Sequence, residues 1–178
     1  MSLPYLPEEL YRTVYGEYVK RLCVDTIVIG PDDSISFVKM DGFEAVFRVD
    51  GPDGIALVRR DIPPHEGTYH LPGGTVYRGE SLEEAARRLV QRELGIEIDI
   101  LGKVGSMEFP NEESELGGAR LVIDSVSIVF VARAHTRELQ GSKDGESTGW
   151  FKDVPAPGEQ HPDHIPYLIK TGFLPAYD

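Results

Sequence analysis

The chain has few of the features that would commit it to a disulfide framework or a membrane. One cysteine, Cys23, occurs among its 178 residues, so no intramolecular disulfide can form and a reducing compartment is expected. The longest strongly apolar stretch, around residues 126–134, is much shorter than the ~20 residues that cross a bilayer. The N-terminus has no signal-peptide pattern. These features predict a cytoplasmic protein with no membrane partner.

Positive charge is also scarce. Eighteen lysines and arginines stand against 30 aspartates and glutamates, which gives a formal net charge of −12. This charge argues against polymeric nucleic acid as the main partner, because binding to a phosphate backbone needs a basic surface. A small phosphorylated substrate remains compatible with this charge, since a metal ion can bring carboxylates and phosphates together.

The length suits one domain with a hydrophobic core. Strand patterns cover residues 23–30, 35–40, 43–49, 55–60, 96–103, 121–134 and 150–151. Helix patterns cover residues 7–21, 81–95 and 165–171, and acidic loops are expected at 111–118 and 140–149. Strands mixed with helices on both faces of a sheet predict a three-layer α/β/α domain. We assign residues 1–22 to an N-terminal helical extension and residues 23–178 to this domain.

The central helix has clear start and stop signals. Ser81 and Glu84 form a capping-box pattern, and Gly95 is placed to end the helix in a left-handed turn. One helical stripe joins Leu82, Ala85, Ala86, Leu89 and Glu93. A buried carboxylate in such a stripe needs a partner, and a divalent cation is one such partner. The alternative is that the last turn frays and Glu93 lies on the solvent-exposed rim.

Two neighbouring features support the same site. Gly73 and Gly74 allow backbone to approach a ligand or ion closely, although such a turn is more often purely structural. Arg88 lies four residues after Glu84 and eight after Glu80, so one guanidinium is placed to pair with both.

The segment resembles the signature of the Nudix hydrolases. The residues that match at the right spacing are Gly74, Glu80, Arg88, Val90, Glu93, Gly95 and Ile96. Two glutamates of the signature are replaced, by Leu89 and Arg92. This depleted pattern resembles the GDP-mannose mannosyl hydrolase branch, which carries an aspartate near Asp25 and a diphosphate-assisting arginine near Arg60. The branch also keeps a histidine base just before the position of Trp150, and this chain has none there.

The resemblance implies a Nudix-type α/β/α sandwich with a mixed sheet, a nucleotide substrate and a homodimer, and we expect the N-terminal helix to pack in the dimer interface or over the sheet. It also implies Mg²⁺, with Mn²⁺ as an alternative. The predicted metal ligands are Glu93, the carbonyl of Gly73, Glu80 and Asp144. The predicted substrate-binding residues are Arg60, Tyr69 and Gly74. The residues predicted to act in catalysis are Arg60, Arg88, Asp25 and Glu146. Glu146 is the expected base, with His161 or His164 as rivals if the tail folds back over the site.

Three functions remain open from the sequence. The first is Mg²⁺-dependent hydrolysis of a nucleoside diphosphate derivative, with a GDP-mannose-like nucleotide sugar as favoured substrate and release of the nucleoside diphosphate. The second is a pyrophosphohydrolase that cleaves within the diphosphate. The third is a nucleotide-binding module without catalysis, which the replacements at Leu89 and Arg92 favour. Their products distinguish the three.

Overall fold

The computed structural model describes residues 20–42, 44–61, 65–116, 119–141 and 148–176. The strands in these ranges are β1 (Arg21–Ile29), β2 (Ser34–Asp41), β3 (Glu44–Asp50), β4 (Ile55–Arg59), β5 (Tyr69–His70), β6 (Gly73–Thr75), β7 (Ile98–Leu116), β8 (Ala119–Ala134) and β9 (Thr148–Phe151). The helices are α1 (Leu82–Leu94) and α2 (His164–Lys170). Among the described helices, none is long and apolar enough to cross a membrane.

The main sheet is mixed, as the resemblance implied. Its strand order is β5-β4-β1-β8-β7, with β6 pairing to β1 and β9 to β4, while β2 and β3 form a separate hairpin. β1 and β8 run parallel, and the other pairs in this sheet are antiparallel.

The central strand β1 buries both of its faces. Val24 and Val28 pack on the side of α1, whereas Ile27 and Ile29 pack with Ile165 of α2. Successive side chains of a strand point to opposite faces, so these alternating contacts place one helix on each side of the sheet. The predicted α/β/α arrangement is confirmed.

Helix α1 begins and ends where its signals predicted. Ser81 and Glu84 form both hydrogen bonds of the capping box, and Gly95 adopts a left-handed conformation with a φ of 68°. The Glu93 side chain is only 14% exposed, although it belongs to the last turn. The frayed-end alternative is therefore wrong, and Glu93 is held in the interior of the site.

Some boundaries differ from the prediction. β1 begins at Arg21, inside the predicted extension, because Arg21 and Leu22 already pair with Ser125 and Val126 of β8. The expected loop at 111–118 is largely strand, since backbone pairing between β7 and β8 continues to Leu116 and Ala119. The N-terminal helix, at residues 7–21, lies almost wholly outside the described residues, which begin at residue 20.

A substitution at Gly73 tests the pairing of β6 with β1, on which the position of the site depends. It pairs with Asp25, and a Cβ on Gly73 would lie 2.0 Å from Asp25 Oδ1 and 2.6 Å from the carbonyl oxygen of Val24. Both neighbours belong to the central strand, so we expect Gly73→Ala to destabilise the fold by about 1–3 kcal/mol, as overpacking commonly does. The measurement is chemical unfolding. Gly102→Ala is the matched control, because a Cβ there meets no heavy atom within 4 Å. Equal stability of the two variants would contradict this register.

Candidate functional site

The Gly73–Gly74 turn joins the central strand to the end of α1. The backbone N–H of Gly73 donates to Glu93 Oε2 at 3.2 Å. On its other side Gly73 contacts the buried carboxylate of Asp25, which accepts a hydrogen bond from the hydroxyl of Ser127. Three of the predicted site residues, Asp25, Gly73 and Glu93, are thus brought together.

Arg92 is the cation beside Glu93. Its Nη2 forms an ion pair with Glu93 Oε1, and the same nitrogen donates to the carbonyl oxygen of Gly73 at 3.4 Å. One guanidinium therefore bridges the two groups that were predicted to hold a metal. The Arg92 side chain is 54% exposed, so one side of this cation faces solvent.

Glu80 pairs with Arg88, as the spacing of the two residues predicted. Arg88 donates to both of its oxygens, at 3.0 and 2.6 Å, and the backbone N–H of Tyr77 donates to Oε1 at 2.6 Å. The hydrogen bonds from Arg88 lower the pKa of Glu80, so this carboxylate stays ionised. Both oxygens of Glu80 thus accept hydrogen bonds within the protein, and metal binding by Glu80 stays a prediction.

Arg88 holds the segment that leads into α1 in place. Besides its contact with Glu80, Arg88 donates to the carbonyl oxygen of Thr75 at 3.0 Å. Its Cζ lies over the ring of Tyr77, 3.9 Å from the ring centre. The predicted second contact, with Glu84, is replaced by the capping box, in which Glu84 accepts from the N–H of Ser81. Arg88 therefore positions the segment between β6 and α1.

The C-terminal tail returns to the residues just before Gly73. The N–H of Tyr69 donates to the carbonyl oxygen of Glu159 at 2.7 Å, and the N–H of His161 donates back to that of Tyr69 at 3.2 Å. Four rings meet as a result, and we call them the histidine cluster. Its members are His65, His70, His161 and His164, in which neighbouring ring centres are 4.4–6.2 Å apart.

The hydrogen bonds of three of these rings fix their protonation. Nδ1 of His161 accepts from the backbone N–H groups of Asp163 and His164, at 3.3 and 3.5 Å. Nδ1 of His164 accepts from the N–H of Leu71 at 3.1 Å. Both neutral rings therefore carry their proton on Nε2. Although the tail folds back, these two rivals for the base are proton donors at that nitrogen.

His70 has the opposite tautomer. Its Nδ1 lies 2.6 Å from the carbonyl oxygen of Leu71, which can only accept, so Nδ1 carries the proton and the lone pair is on Nε2. His70 is the ring of these three whose Nε2 can take up a proton. His70 was not among the predicted site residues, although its place directly before Leu71-Pro72-Gly73-Gly74 was a signal.

Charge around the cluster links it to Glu93. Burial lowers the pKa of His70, Glu93 opposes this shift, and Arg60 adds to it. Burial also lowers the pKa of His161 to about 3, reinforced by His70, His65 and Arg60. Burial lowers the pKa of His164 as well. Glu93 and Arg60 thus act on His70 with opposite effects on its pKa.

The other predicted residues have packing roles or lie outside the described ranges. The ring of Tyr69 packs against Phe151 with ring centres 4.7 Å apart. A Cβ on Gly74 would lie 3.1 Å from Cδ2 of Leu89, so this glycine allows β6 to approach α1. Substrate contact by Tyr69 and Gly74 stays a prediction. Asp144 and Glu146 lie outside the described residues.

With Arg92 in place, the described residues do not form a ready site for a divalent cation. Mg²⁺ prefers octahedral oxygen ligands, and the Glu93 carboxylate and Gly73 carbonyl are donors of that kind. Arg92 occupies both, and Glu80 is paired with Arg88. Within the ranges that the structure describes, no three side chains of His, Cys, Asp or Glu are grouped so as to hold a metal ion.

The histidine cluster predicts a loss of stability in mild acid. His161 stays neutral in the fold down to about pH 3, whereas in the unfolded chain it titrates near 6.5. The unfolded state therefore binds more protons below pH 6.5, and the stabilisation by a neutral His161 is lost as the pH falls from about 6.5 towards 3. Each such histidine contributes a slope of up to about 1.4 kcal/mol per pH unit.

We expect the free energy of unfolding to fall between pH 7 and pH 5, measured by denaturant titration. His161→Asn, which keeps an acceptor for the two backbone N–H groups, should reduce this slope. His135→Gln is the control, because His135 is exposed and lies outside the cluster. An unchanged slope in His161→Asn would contradict the buried neutral state.

The chain is similar in sequence to known proteins over much of its length. A family profile described as NUDIX domain matches residues 42–168. The chain is 32% identical over 92 residues to the low-salt glycan biosynthesis protein Agl8 of Haloferax volcanii, covering 49% of this chain and 58% of that protein. It is 30% identical over 97 residues to an ADP-ribose pyrophosphatase of Methanocaldococcus jannaschii, covering 54% and 53%. The matched part thus spans little more than half the length of these relatives.

A solved structure has the same fold. The MutT NUDIX hydrolase of Burkholderia pseudomallei superimposes with a TM-score of 0.56 at 22% identity, over 85% of this chain and 96% of that one. At this identity the likeness concerns the fold, an α/β domain with a mixed sheet.

Proposed function

The chain belongs to the Nudix family, and from this premise we propose that it hydrolyses a nucleoside diphosphate joined to a sugar, with cleavage between the two phosphates. The observation that carries the proposal is the lone pair on Nε2 of His70, which directly precedes the turn where Gly73 binds Glu93. Glu93 pairs with the cation Arg92, and Arg60 acts electrostatically on His70. Hydrolysis needs a proton acceptor for the attacking water, and a diphosphate needs positive charge beside its oxygens.

The substrate class is supported by one relative's name. The Methanocaldococcus jannaschii protein is called an ADP-ribose pyrophosphatase, and ADP-ribose is a nucleoside diphosphate with a sugar on its terminal phosphate. A GDP-mannose-like substrate has the same general form. We therefore take ADP-ribose as the first substrate to test, and GDP-mannose as the second.

The proposed steps use side chains of this chain. Nε2 of His70 takes a proton from water as the water oxygen bonds to one phosphorus. The bridging oxygen leaves with the other phosphate, so one water is consumed and two monophosphates are released. Arg92 and Arg60 bind the charged oxygens, while Glu93 holds Arg92 in place. Divalent-metal dependence is typical of the family. Because Arg92 forms an ion pair with Glu93, the proposed steps use protein side chains alone. Glu146 remains the rival base.

The second candidate is release of the whole nucleoside diphosphate from a nucleotide sugar. It is favoured by the two residues that replace glutamates of the signature, because neither of them can bind a metal ion. Leu89 is apolar and fully buried, and Arg92 is itself a cation. The third candidate, nucleotide binding without turnover, is favoured by the same two residues.

A cytoplasmic location also remains a prediction.

The products of ADP-ribose and GDP-mannose test the proposal, each assayed with Mg²⁺ and with a chelator. We expect AMP and ribose 5-phosphate from ADP-ribose. His70→Gln should lower kcat by ~10²-fold or more, the usual range for loss of a general base. His135→Gln is the control, and Glu146→Gln tests the rival base directly.

Other outcomes would redirect the assignment. GDP and mannose as the only products would move it to the second candidate. Binding of both nucleotides without turnover would move it to the third. A full loss in Glu146→Gln with normal turnover in His70→Gln would give the role of base to the loop.

A homodimer is also part of the proposal. It rests on the apolar, tyrosine-rich side predicted for the N-terminal helix, which is the kind of surface that subunits cover. We expect light scattering to give a dimer for the intact chain and a monomer for a chain that starts at Lys20. Monomers in both cases, with unchanged stability, would contradict the predicted role of the N-terminal helix.

A further inference from the structure

Both oxygens of Glu93 already have partners within the protein. Oε2 accepts from the N–H of Gly73 at 3.2 Å, and Oε1 pairs with Nη2 of Arg92. The same nitrogen of Arg92 reaches the Gly73 carbonyl oxygen at 3.4 Å. A guanidinium thus lies on the two oxygen donors that would otherwise be the best protein ligands for a hard cation.

We propose that Arg92 is a built-in cation that takes the place of a divalent metal at Glu93, so that Arg92 and metal ions compete for the same two oxygens. The Nudix signature that the chain resembles has a glutamate at this position. The change from glutamate to arginine removes an oxygen ligand and reverses the charge beside Glu93. The carboxylate is thereby satisfied without a metal.

The difference in exposure between Arg92 and Glu93 allows a metal ion to compete with Arg92 for Glu93, so that Arg92 does not exclude the metal permanently. Glu93 is 14% exposed and anchored to the turn by Gly73, so it stays in place. Arg92 is 54% exposed, and ion pairs of exposed side chains are weak. A metal ion can therefore displace the guanidinium, but it then binds beside an unpaired positive charge. Metal affinity should be low in the natural chain and should rise when Arg92 is replaced.

The solvent-facing side of the guanidinium gives the site an anion-binding function. Arginine presents several donors in a planar fork, which matches phosphate oxygens. A diphosphate can thus meet a positive charge at this turn without a metal. This inference does not rest on the proposed hydrolysis, because metal binding is measured without nucleotide and without turnover.

The test is Mn²⁺ binding to the full chain, followed by the electron paramagnetic resonance signal of free Mn²⁺. We expect Arg92→Gln to bind Mn²⁺ ~10-fold more tightly than the natural chain, since removal of a nearby like charge favours the cation. Arg92→Glu should gain ~10²-fold, because it adds an oxygen ligand. Adding Glu93→Gln to Arg92→Glu should abolish most of the gain.

Arg78→Gln is the matched control. It changes the net charge by the same amount in the turn before α1, and Arg78 is not among the partners of Glu93 in the described part of the chain. We expect no tightening in this variant. Equal tightening in Arg78→Gln and Arg92→Gln would overturn the proposal, because the effect would then be one of overall charge.

Two further results would also overturn it. One is Mn²⁺ binding by the natural chain as tight as that of Arg92→Glu. The other is unchanged affinity in all Arg92 variants that melt like the natural chain. Arg92→Lys guards against misfolding, since it keeps the charge but replaces the guanidinium, whose Nη2 contacts both Glu93 and Gly73, with an ammonium group. It should tighten Mn²⁺ binding by less than Arg92→Gln does.

Discussion

The close approach of Gly73 to the central strand determines where the rest of the site lies. Its backbone has carboxylates on both sides, Asp25 of β1 and Glu93 of α1, and a Cβ would overlap the first of them. This contact joins the middle of the sheet to the end of α1. The same turn is preceded by Tyr69 and His70, which pair with the returning tail. One small residue thus brings the helix, the sheet and the histidine cluster to a single place.

Among the described residues, the site is organised by cations and neutral rings rather than by a cluster of carboxylates. Arg88 neutralises Glu80, and Arg92 neutralises Glu93, so neither glutamate of the box is left as an unpaired charge. Burial keeps His161 and His164 neutral. His70 differs because its Nδ1 donates to a carbonyl and leaves the lone pair on Nε2. A proton acceptor beside positive charge is the chemistry on which the proposed hydrolysis depends.

Local signals in the sequence predicted α1 and the layers of the fold well. The capping box at Ser81, the glycine at 95 and the stripe that contains Glu93 each depend on residues within a few positions of one another. The two-residue strand β5 and the three-residue strand β6 were missed because such short segments show no periodicity. The histidine cluster was missed because it depends on pairing between Tyr69 and His161, far apart in the chain.

The partner of Glu93 was also beyond the sequence. Adjacent residues on a helix do not normally face each other, so an ion pair between Arg92 and Glu93 was not expected from their spacing. It forms because the Gly73 carbonyl gives Arg92 a second acceptor at the helix end. In the structure Glu93 has a cationic partner, Arg92, whereas metal binding by Glu93 stays a prediction.

The most direct measurement of the central claim is the ¹⁵N spectrum of the histidine side chains during titration with the α,β-methylene analogue of ADP-ribose. The analogue cannot be cleaved between its phosphates. We expect an Nδ1–H tautomer for His70 and Nε2–H tautomers for His161 and His164, with the resonance of His70 Nε2 shifting as the analogue binds. An unshifted His70 with the analogue bound elsewhere, or an Nε2–H tautomer at His70, would contradict the role of His70 as the base.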